Sequence, residues 1–111
     1  VIGCGGSRDK TKRTVIGQIS VDLSNYVIFT SDNPRDEDEL AIIKDIIVDI
    51  EKENYEIVVD RKDAIKRAIA ISQEKDIIAI LGRGNEMFQK VKGQLIPLND
   101  MEVVNEIIKG E

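Results

Sequence analysis

One short polar segment carries residue types that bind small charged ligands. It reads Asp32-Asn33-Pro34-Arg35 and follows an apolar run typical of a buried strand. Pro34 fixes its own φ and disfavours the helical conformation at Asn33, so the turn is stiff. An arginine guanidinium binds a carboxylate or phosphate through paired hydrogen bonds. The segment therefore predicts a site for a small polar ligand, with an ordinary helix-capping turn as the alternative interpretation.

Two further segments combine glycine with charge, namely Gly5–Lys10 and Gly82–Glu86. A glycine-rich loop before a helix can present backbone amides to a phosphate. The first of these loops, however, lacks both the dinucleotide spacing G-x-G-x-x-G and the GK[ST] ending of a P-loop. A nucleotide-binding module is therefore a weaker interpretation of this pattern.

The charged residues of these segments also fit an amino acid. A zwitterion needs a cation for its carboxylate and an anion for its ammonium group. Arg35, helped by Arg8, supplies the cation, and Glu86 with Asp32 supplies the anion. The sequence thus favours recognition of an amino acid over recognition of a phosphate alone.

Hydrophobic periodicity predicts the elements that hold these loops. Helical patterns are expected to bury Val15, Ile16, Ile19 and Leu23 in the first helix, and Leu40, Ile43, Ile46, Ile47 and Ile50 in the second. Asp36 is the expected N-cap of the second helix, with Glu39 at the capping-box spacing. In chain order we predict a strand ending at Cys4, a helix over 11–23, a strand over 26–29, a helix from 36, a strand over 55–60, a helix from 61, a strand over 77–81, a hairpin over 87–98 and a helix after 99–100, with Gly110 as its C-cap.

This alternation predicts an α/β fold with three layers, a mainly parallel sheet carrying helices on both faces. Ile77–Leu81 is the most continuously apolar run and is expected to be a central strand covered on both faces. The carboxyl ends of parallel strands lie at one edge, so the polar loops should converge there. The residues expected on this rim are Arg8, Asp9, Lys10, Lys12, Arg13, Asp32, Asn33, Arg35, Arg61, Arg83, Asn85 and Glu86.

Composition excludes several other classes. The 111 residues fit a single domain. A net charge of −5 argues against nucleic-acid binding, and one cysteine without histidine argues against a disulfide framework or a zinc site. No apolar run reaches the length of a membrane span. Because the sequence starts at Val1-Ile2-Gly3, in what looks like the end of a strand, we interpret it as a fragment of a longer protein.

Three blocks in this order resemble a known family. Gly3–Arg13, Asp32–Arg35 and Gly82–Glu86 are similar to the C-terminal domain of the Mur ligases, in the MurE branch that adds the third residue of the peptidoglycan stem peptide. The resemblance covers nearly the whole chain. It implies that residues 1–111 of this chain form a single Rossmann-like domain, truncated at its N-terminus. This domain would be a fragment of the C-terminal domain of a larger three-domain cytoplasmic ligase of cell-wall biogenesis, cell shape and cell division.

The resemblance also implies a reaction and its partners. ATP would phosphorylate the D-glutamate carboxylate of UDP-N-acetylmuramoyl-L-alanyl-D-glutamate, and the amino group of meso-diaminopimelate would attack the acyl phosphate. ATP and Mg²⁺ would be bound mainly by the absent central domain, and the missing N-terminal and central domains would be the protein partners, with neither nucleic acid nor membrane. The fragment alone is expected to be inactive.

Residue roles follow from the same resemblance. No catalytic residue or metal ligand is expected in this chain. Arg8 and Lys10 would also approach the nucleotide phosphates, and Arg35 would bind the distal carboxylate that lysine lacks. The substrate-binding residues implied are Arg8, Asp32, Asn33, Arg35, Gly82 and Glu86.

The sequence departs from the family pattern in two of the three blocks. Ser7, Thr11 and Thr14 stand where Asp, Gly and Pro are usual, and Arg83 and Asn85 replace a Lys and a His. Glu86 is kept. These changes leave open a relative that adds L-lysine or another diamine, beside the non-catalytic nucleotide-binding module and a purely structural interaction domain.

Overall fold

The computed structural model describes residues 1–6 and 10–110. Helices and strands alternate along most of the chain, which confirms the α/β class expected from the sequence. The elements are α1 (Arg13–Leu23), β1 (Val27–Phe29), α2 (Glu39–Ile47), β2 (Tyr55–Ile57), α3 (Arg61–Ile71), β3 (Phe88–Val91), β4 (Gln94–Pro97) and α4 (Asp100–Lys109).

Helices cover both faces of the parallel pair β1 and β2. Ile2 extends this pair through a parallel bridge to Phe29. All three residues of β1 are buried, and their side chains alternate between two apolar clusters. Val27 and Phe29 pack with residues of α1 and α2, whereas Ile28 packs with Ala64 and Ala68 of α3. The three-layer arrangement is therefore present around β1.

The second helix begins later than the capping-box pattern predicts. Asp38, not Asp36, is its N-cap, and the Asp38 carboxylate accepts a hydrogen bond from the Ala41 amide at 3.1 Å. The Glu37 amide donates to the Pro34 carbonyl, so the turn that starts at proline continues through Asp36. The prediction of Asp36 as the cap was wrong because this extra turn delays the helix.

The buried face of α1 differs from the predicted one. Gly17 and Val21 face the core, while Val15, Ile19 and Leu23 are exposed. A Cβ at Gly17 would overlap the backbone of Ile46, so the two helices approach more closely than larger side chains allow. Because Gly17 makes this contact, α1 turns the face with Gly17 and Val21 to the core, and not the apolar face that periodicity predicts. In α2, Leu40 is likewise exposed, and Ile42 is buried instead.

The segment Ile77–Leu81 is not the covered central strand that the sequence predicts. It runs beside Val1, whose amino group donates to the Ala79 carbonyl at 2.8 Å and whose carbonyl accepts from the Leu81 amide at 2.9 Å. The segment does not form a strand, and the Ile77 side chain is 94% exposed. The segment borders an open groove of about 620 Å³ that α1 and α3 also line. Because the segment lines this open groove, most of its side chains are exposed.

The predicted hairpin is confirmed. β3 and β4 pair antiparallel around Lys92 and Gly93, which both have positive φ. This conformation matches the two-residue turns that best fit the twist of a hairpin. The hairpin packs against the turn that contains Arg35 through a parallel bridge between Arg35 and Val91.

Candidate substrate-binding site

The turn after β1 is buried rather than freely exposed. Asp32, Asn33 and Pro34 are all buried, and the hairpin holds them in place. The Asn33 side-chain oxygen accepts a hydrogen bond from the Lys90 amide at 3.0 Å. The buried Gln89 side chain donates to the Ser31 hydroxyl at 2.8 Å and to the Asp32 carbonyl at 2.6 Å. The sequence does not indicate this role for Gln89, because the residue pattern of a short hairpin does not show which loop the hairpin contacts.

Arg35 has a backbone conformation that non-glycine residues seldom adopt. Its φ is +53°, in the left-handed region. Two backbone hydrogen bonds stabilise it, from the Arg35 amide to the Lys90 carbonyl at 2.8 Å and from the Lys92 amide to the Arg35 carbonyl at 2.6 Å. Strained residues of this kind cluster at binding sites. The half-buried guanidinium donates to the carbonyls of Gly6 at 3.0 Å and Asn33 at 3.4 Å.

Gly6, at the start of the first glycine loop, lies against this turn. The Gly6 amide donates to the Asn33 carbonyl at 2.7 Å, and a Cβ at Gly6 would overlap the backbone of Pro34. The structure therefore brings the start of the first loop to Arg35, as the sheet-edge argument predicts. Arg8, expected to bind substrate and phosphate, lies outside the described residues. Lys10 has a 64% exposed side chain whose ammonium is 3.8 Å from the Glu37 carboxylate.

The loop after Leu81 carries Glu86 and lies next to Asp32 of the turn after β1. Gly82 has φ +105°, and its backbone lies next to the Asp32 carboxylate. The Glu86 side chain is 46% exposed, and its carboxylate approaches the Arg83 Nε at 3.9 Å. Glu86 is therefore accessible to a ligand, whereas the arginine beside it is buried.

The charges of Arg61, Arg83 and Glu86 all act on the Asp32 carboxyl. Burial raises the pKa of the Asp32 carboxyl, Arg61 and Arg83 oppose that rise, and Glu86 adds to it. A carboxylate whose pKa is raised by burial and by a second carboxylate gains stability when a cation approaches. Asp32 and Glu86 are therefore close enough to interact electrostatically.

Three arginines expected on the exposed rim are instead buried. Arg13 pairs with Glu37 and Asp45 and joins α1 to α2. Arg61 pairs with Asp100 of α4. Arg83 donates through Nη2 to the carbonyls of Leu98 at 2.6 Å and Phe88 at 3.1 Å.

The rim prediction was wrong for these three side chains. The carboxylate partners of Arg13 and Arg61 lie 24 to 39 positions away. The Arg83 acceptor at 2.6 Å, Leu98, lies 15 positions away. Guanidinium groups are buried when several acceptors surround them, and local patterns do not show those acceptors. Lys12 and Asn85 are exposed, as expected. Asp9 lies outside the described residues.

Metal and membrane features were searched in residues 1–6 and 10–110. In this part of the chain, no group of three or more His, Cys, Asp or Glu side chains has an arrangement suited to a metal ion. None of the helices described is both long and apolar enough to cross a bilayer.

The fold and the site together define an α/β domain in which the turn after β1 meets the loop after Leu81, with Asp32 buried, Arg35 half-buried and Glu86 exposed. The chain belongs to the Mur ligase family: the family described as "Mur ligase, glutamate ligase domain" matches residues 1–84. Sequence relatives and a solved structure extend that similarity over almost the full chain.

The sequence relatives carry the name UDP-N-acetylmuramoyl-L-alanyl-D-glutamate--2,6-diaminopimelate ligase. The protein of Clostridium botulinum is 47% identical over 98% of this chain, and that of Aquifex aeolicus is 46% identical over 100% of it. A solved structure of a ligase with the same name superposes with a TM-score of 0.93 at 37% identity, over 98% of this chain. The chain spans 23% of the length of each of these three proteins.

Proposed function

We propose that this chain is the C-terminal domain of a three-domain, ATP-dependent ligase that adds meso-diaminopimelate to UDP-N-acetylmuramoyl-L-alanyl-D-glutamate. The observation that carries the proposal is the meeting of two loops at one sheet edge. Asp32 and Arg35 lie on the turn after β1, and Glu86 lies on the loop whose Gly82 is next to the Asp32 carboxylate. The similarity to ligases named for diaminopimelate supports the choice of substrate.

Each loop has a distinct role in this proposal. Arg35 binds the distal carboxylate of diaminopimelate through its guanidinium, together with Arg8. Glu86 accepts hydrogen bonds from the distal ammonium, and Gly82 lets the loop approach the ligand closely. Asp32 shapes the pocket, while Asn33 contributes its amide beside the hydrogen bond that it already accepts from Lys90.

The substitution of Arg83 for the expected lysine is compatible with diaminopimelate. The Arg83 side chain is buried and donates to carbonyls of Phe88 and Leu98. It supports the Glu86 loop from inside instead of reshaping the pocket. The lysine-adding alternative therefore gains no support from position 83.

The proposal assigns ATP and Mg²⁺ mainly to the part of the ligase that this chain does not span. ATP supplies the phosphoryl group that activates the substrate carboxylate. Within this chain, the exposed ammonium of Lys10 fits an approaching phosphate, since its 3.8 Å contact with Glu37 is long for an ion pair. The UDP-linked dipeptide and the other two domains are its proposed partners, and the cytoplasm its proposed location. The isolated chain should release no phosphate.

The test is amino-acid-dependent phosphate release by the full-length protein that carries this domain. Phosphate release with ATP, the UDP-linked dipeptide and meso-diaminopimelate, but not with L-lysine, is the expected result. Arg35→Ala should abolish use of diaminopimelate, while Arg67→Ala, which removes an exposed ion pair with Glu56, should leave it unchanged. Release with lysine would keep the ligase and refute the role of Arg35. Release with neither amino acid would refute the proposed function.

A further inference from the structure

Arg61 is a fully buried arginine at the first position of α3. Its Nε and Nη2 donate to the two carboxylate oxygens of Asp100, each at 2.9 Å. This two-pronged pairing fixes the plane of the guanidinium. Asp100 is the first residue of α4, so the pair also joins the N-termini of two helices.

The same guanidinium contacts both loops of the candidate site. Nη1 donates to the Ser31 carbonyl at 3.1 Å, and Nη2 donates to the Leu81 carbonyl at 3.0 Å. Ser31 immediately precedes Asp32, and Leu81 immediately precedes Gly82. One rigid group is therefore hydrogen-bonded at the base of the loop that carries Arg35 and at the base of the loop that carries Glu86.

Other contacts hold each loop separately. Gln89 of the hairpin holds the first loop at Ser31 and Asp32. Asn99 holds the second loop, because its side-chain amide donates to the carbonyls of Asn85 at 3.2 Å and Glu86 at 3.0 Å. Arg61 differs from both in that it donates to the two loops at once.

We propose that Arg61, oriented by Asp100, is a positioning residue that sets the separation between the guanidinium of Arg35 and the carboxylate of Glu86. This inference rests on the proposed function. The separation of those two groups has to match the separation of carboxylate and ammonium on the incoming amino acid. A shift of about 1 Å in a positioned group is enough to cost roughly 100-fold in rate.

A lysine at position 61 should not be able to position the two loops. An ammonium is a single nitrogen with no planar fork, so it cannot span both Asp100 oxygens and both backbone carbonyls. Arg61→Lys keeps the charge and most of the aliphatic volume but loses the geometry. Asp100→Asn is the milder change, since it keeps Arg61 and one oxygen acceptor while removing the charged two-pronged pair.

The experiment uses the full-length protein and compares wild type, Arg61→Lys, Asp100→Asn and the control Arg67→Lys. Arg67 lies on the same helix and forms an exposed ion pair with Glu56. The KM for meso-diaminopimelate should rise roughly tenfold or more in the first two variants, with the KM for ATP changed less than about twofold. Arg67→Lys should match wild type in both constants.

The KM comparison separates positioning from stability. A structural role alone would lower the melting temperature and the active fraction, and hence the apparent kcat, with the KM for diaminopimelate unchanged; that result would overturn the inference. If Arg61→Lys does not fold, the KM of Asp100→Asn decides by the same criterion. A wild-type protein inactive with every amino acid would refute the proposed function itself, and this inference with it.

Discussion

Gly82 lies so close to Asp32 that a Cβ at position 82 would come within 2.8 Å of the Asp32 Oδ2. Gly82 also has φ +105°, a conformation that side chains disfavour. The absence of a side chain at position 82 therefore allows the loop of Glu86 and the carboxylate of Asp32 to meet.

Gly82→Ala should destabilise the protein and weaken amino-acid binding. The positive φ should lower the free energy of unfolding by about 2 kcal/mol. The new methyl group would displace the Asp32 carboxylate and raise the KM for the amino acid. Gly84→Ala is the matched control, because Gly84 also has positive φ but no atom lies within 4 Å of its Cβ position. Urea unfolding and steady-state kinetics measure both effects; equal KM values in the two variants would contradict the steric argument.

Asp32→Asn should change how stability depends on pH. Burial raises the pKa of the Asp32 carboxyl above its ordinary value of 3.8, so the folded protein binds this proton more tightly than the unfolded chain. The contribution of Asp32 to stability is therefore fully present below pH 3.8 and is lost as pH rises through the folded pKa. Asp32→Asn should remove this loss of stability at higher pH, so the variant should be more stable than wild type near pH 7. The variant should also bind the ligand ammonium group less well.

Urea unfolding across the acid range tests this sign, with Asp22→Asn as the comparison. Hydrogen bonds from Lys52 and Gln18 lower the pKa of the exposed Asp22 carboxyl. Asp22 therefore contributes stability above its ordinary pKa that is lost as pH falls through the folded pKa, the opposite direction. If Asp32→Asn and Asp22→Asn change the pH dependence of stability in the same direction, the raised pKa of Asp32 is contradicted.

Local patterns in the sequence were enough to predict the helices, the hairpin and the loops that converge on one sheet edge. Helical periodicity and capping residues are local signals, and Asn99 and Gly110 cap α4 as the sequence indicates. The convergence of loops follows from parallel pairing, which β1 and β2 show. The proximity of Gly6 to Arg35 could therefore be predicted from the sequence.

Burial of the arginines could not be predicted in this way. Arg61 and Asp100 are 39 positions apart, and Arg13 and Asp45 are 32 apart, so neither pair leaves a local signature. An arginine beside a glycine loop has the same sequence pattern whether it faces solvent or a carboxylate. The prediction of a covered central strand at Ile77–Leu81 was wrong for a related reason. An apolar composition does not show whether other residues pack against the segment.

Gln89→Ala should loosen the turn that carries Arg35. The Gln89 side chain donates to Ser31 and Asp32 from a buried position, so its removal leaves buried acceptors unsatisfied. We expect the free energy of unfolding to fall by about 2 kcal/mol. Gln94→Ala, at the exposed start of the partner strand β4, should change it by less than about 0.5 kcal/mol. Similar losses in both variants would indicate that the hairpin as a whole, not its contact with the turn, supports stability.

Arg13→Ala should be among the more destabilising single changes. The buried Arg13 guanidinium donates to Glu37 at 3.0 and 3.1 Å, to Asp45 at 2.9 Å and to the Gly5 carbonyl at 3.2 Å. Breaking a buried ion pair costs about 3 to 5 kcal/mol, and the lower value applies here because Glu37 and Asp45 are partly exposed and can be rehydrated.

An exposed ion pair provides the comparison for Arg13. Lys52→Ala removes the contact with Asp22. Both side chains of this pair are about half exposed, so the loss of stability should be much smaller than that of Arg13→Ala. The Lys52 effect should also shrink at high salt, whereas the Arg13 effect should persist because buried pairs are poorly screened. Urea unfolding at low and high ionic strength measures both. A salt-sensitive loss for Arg13→Ala, equal to that of Lys52→Ala, would show that Arg13 behaves as a solvated rim residue and that the sequence-based prediction was right for this side chain.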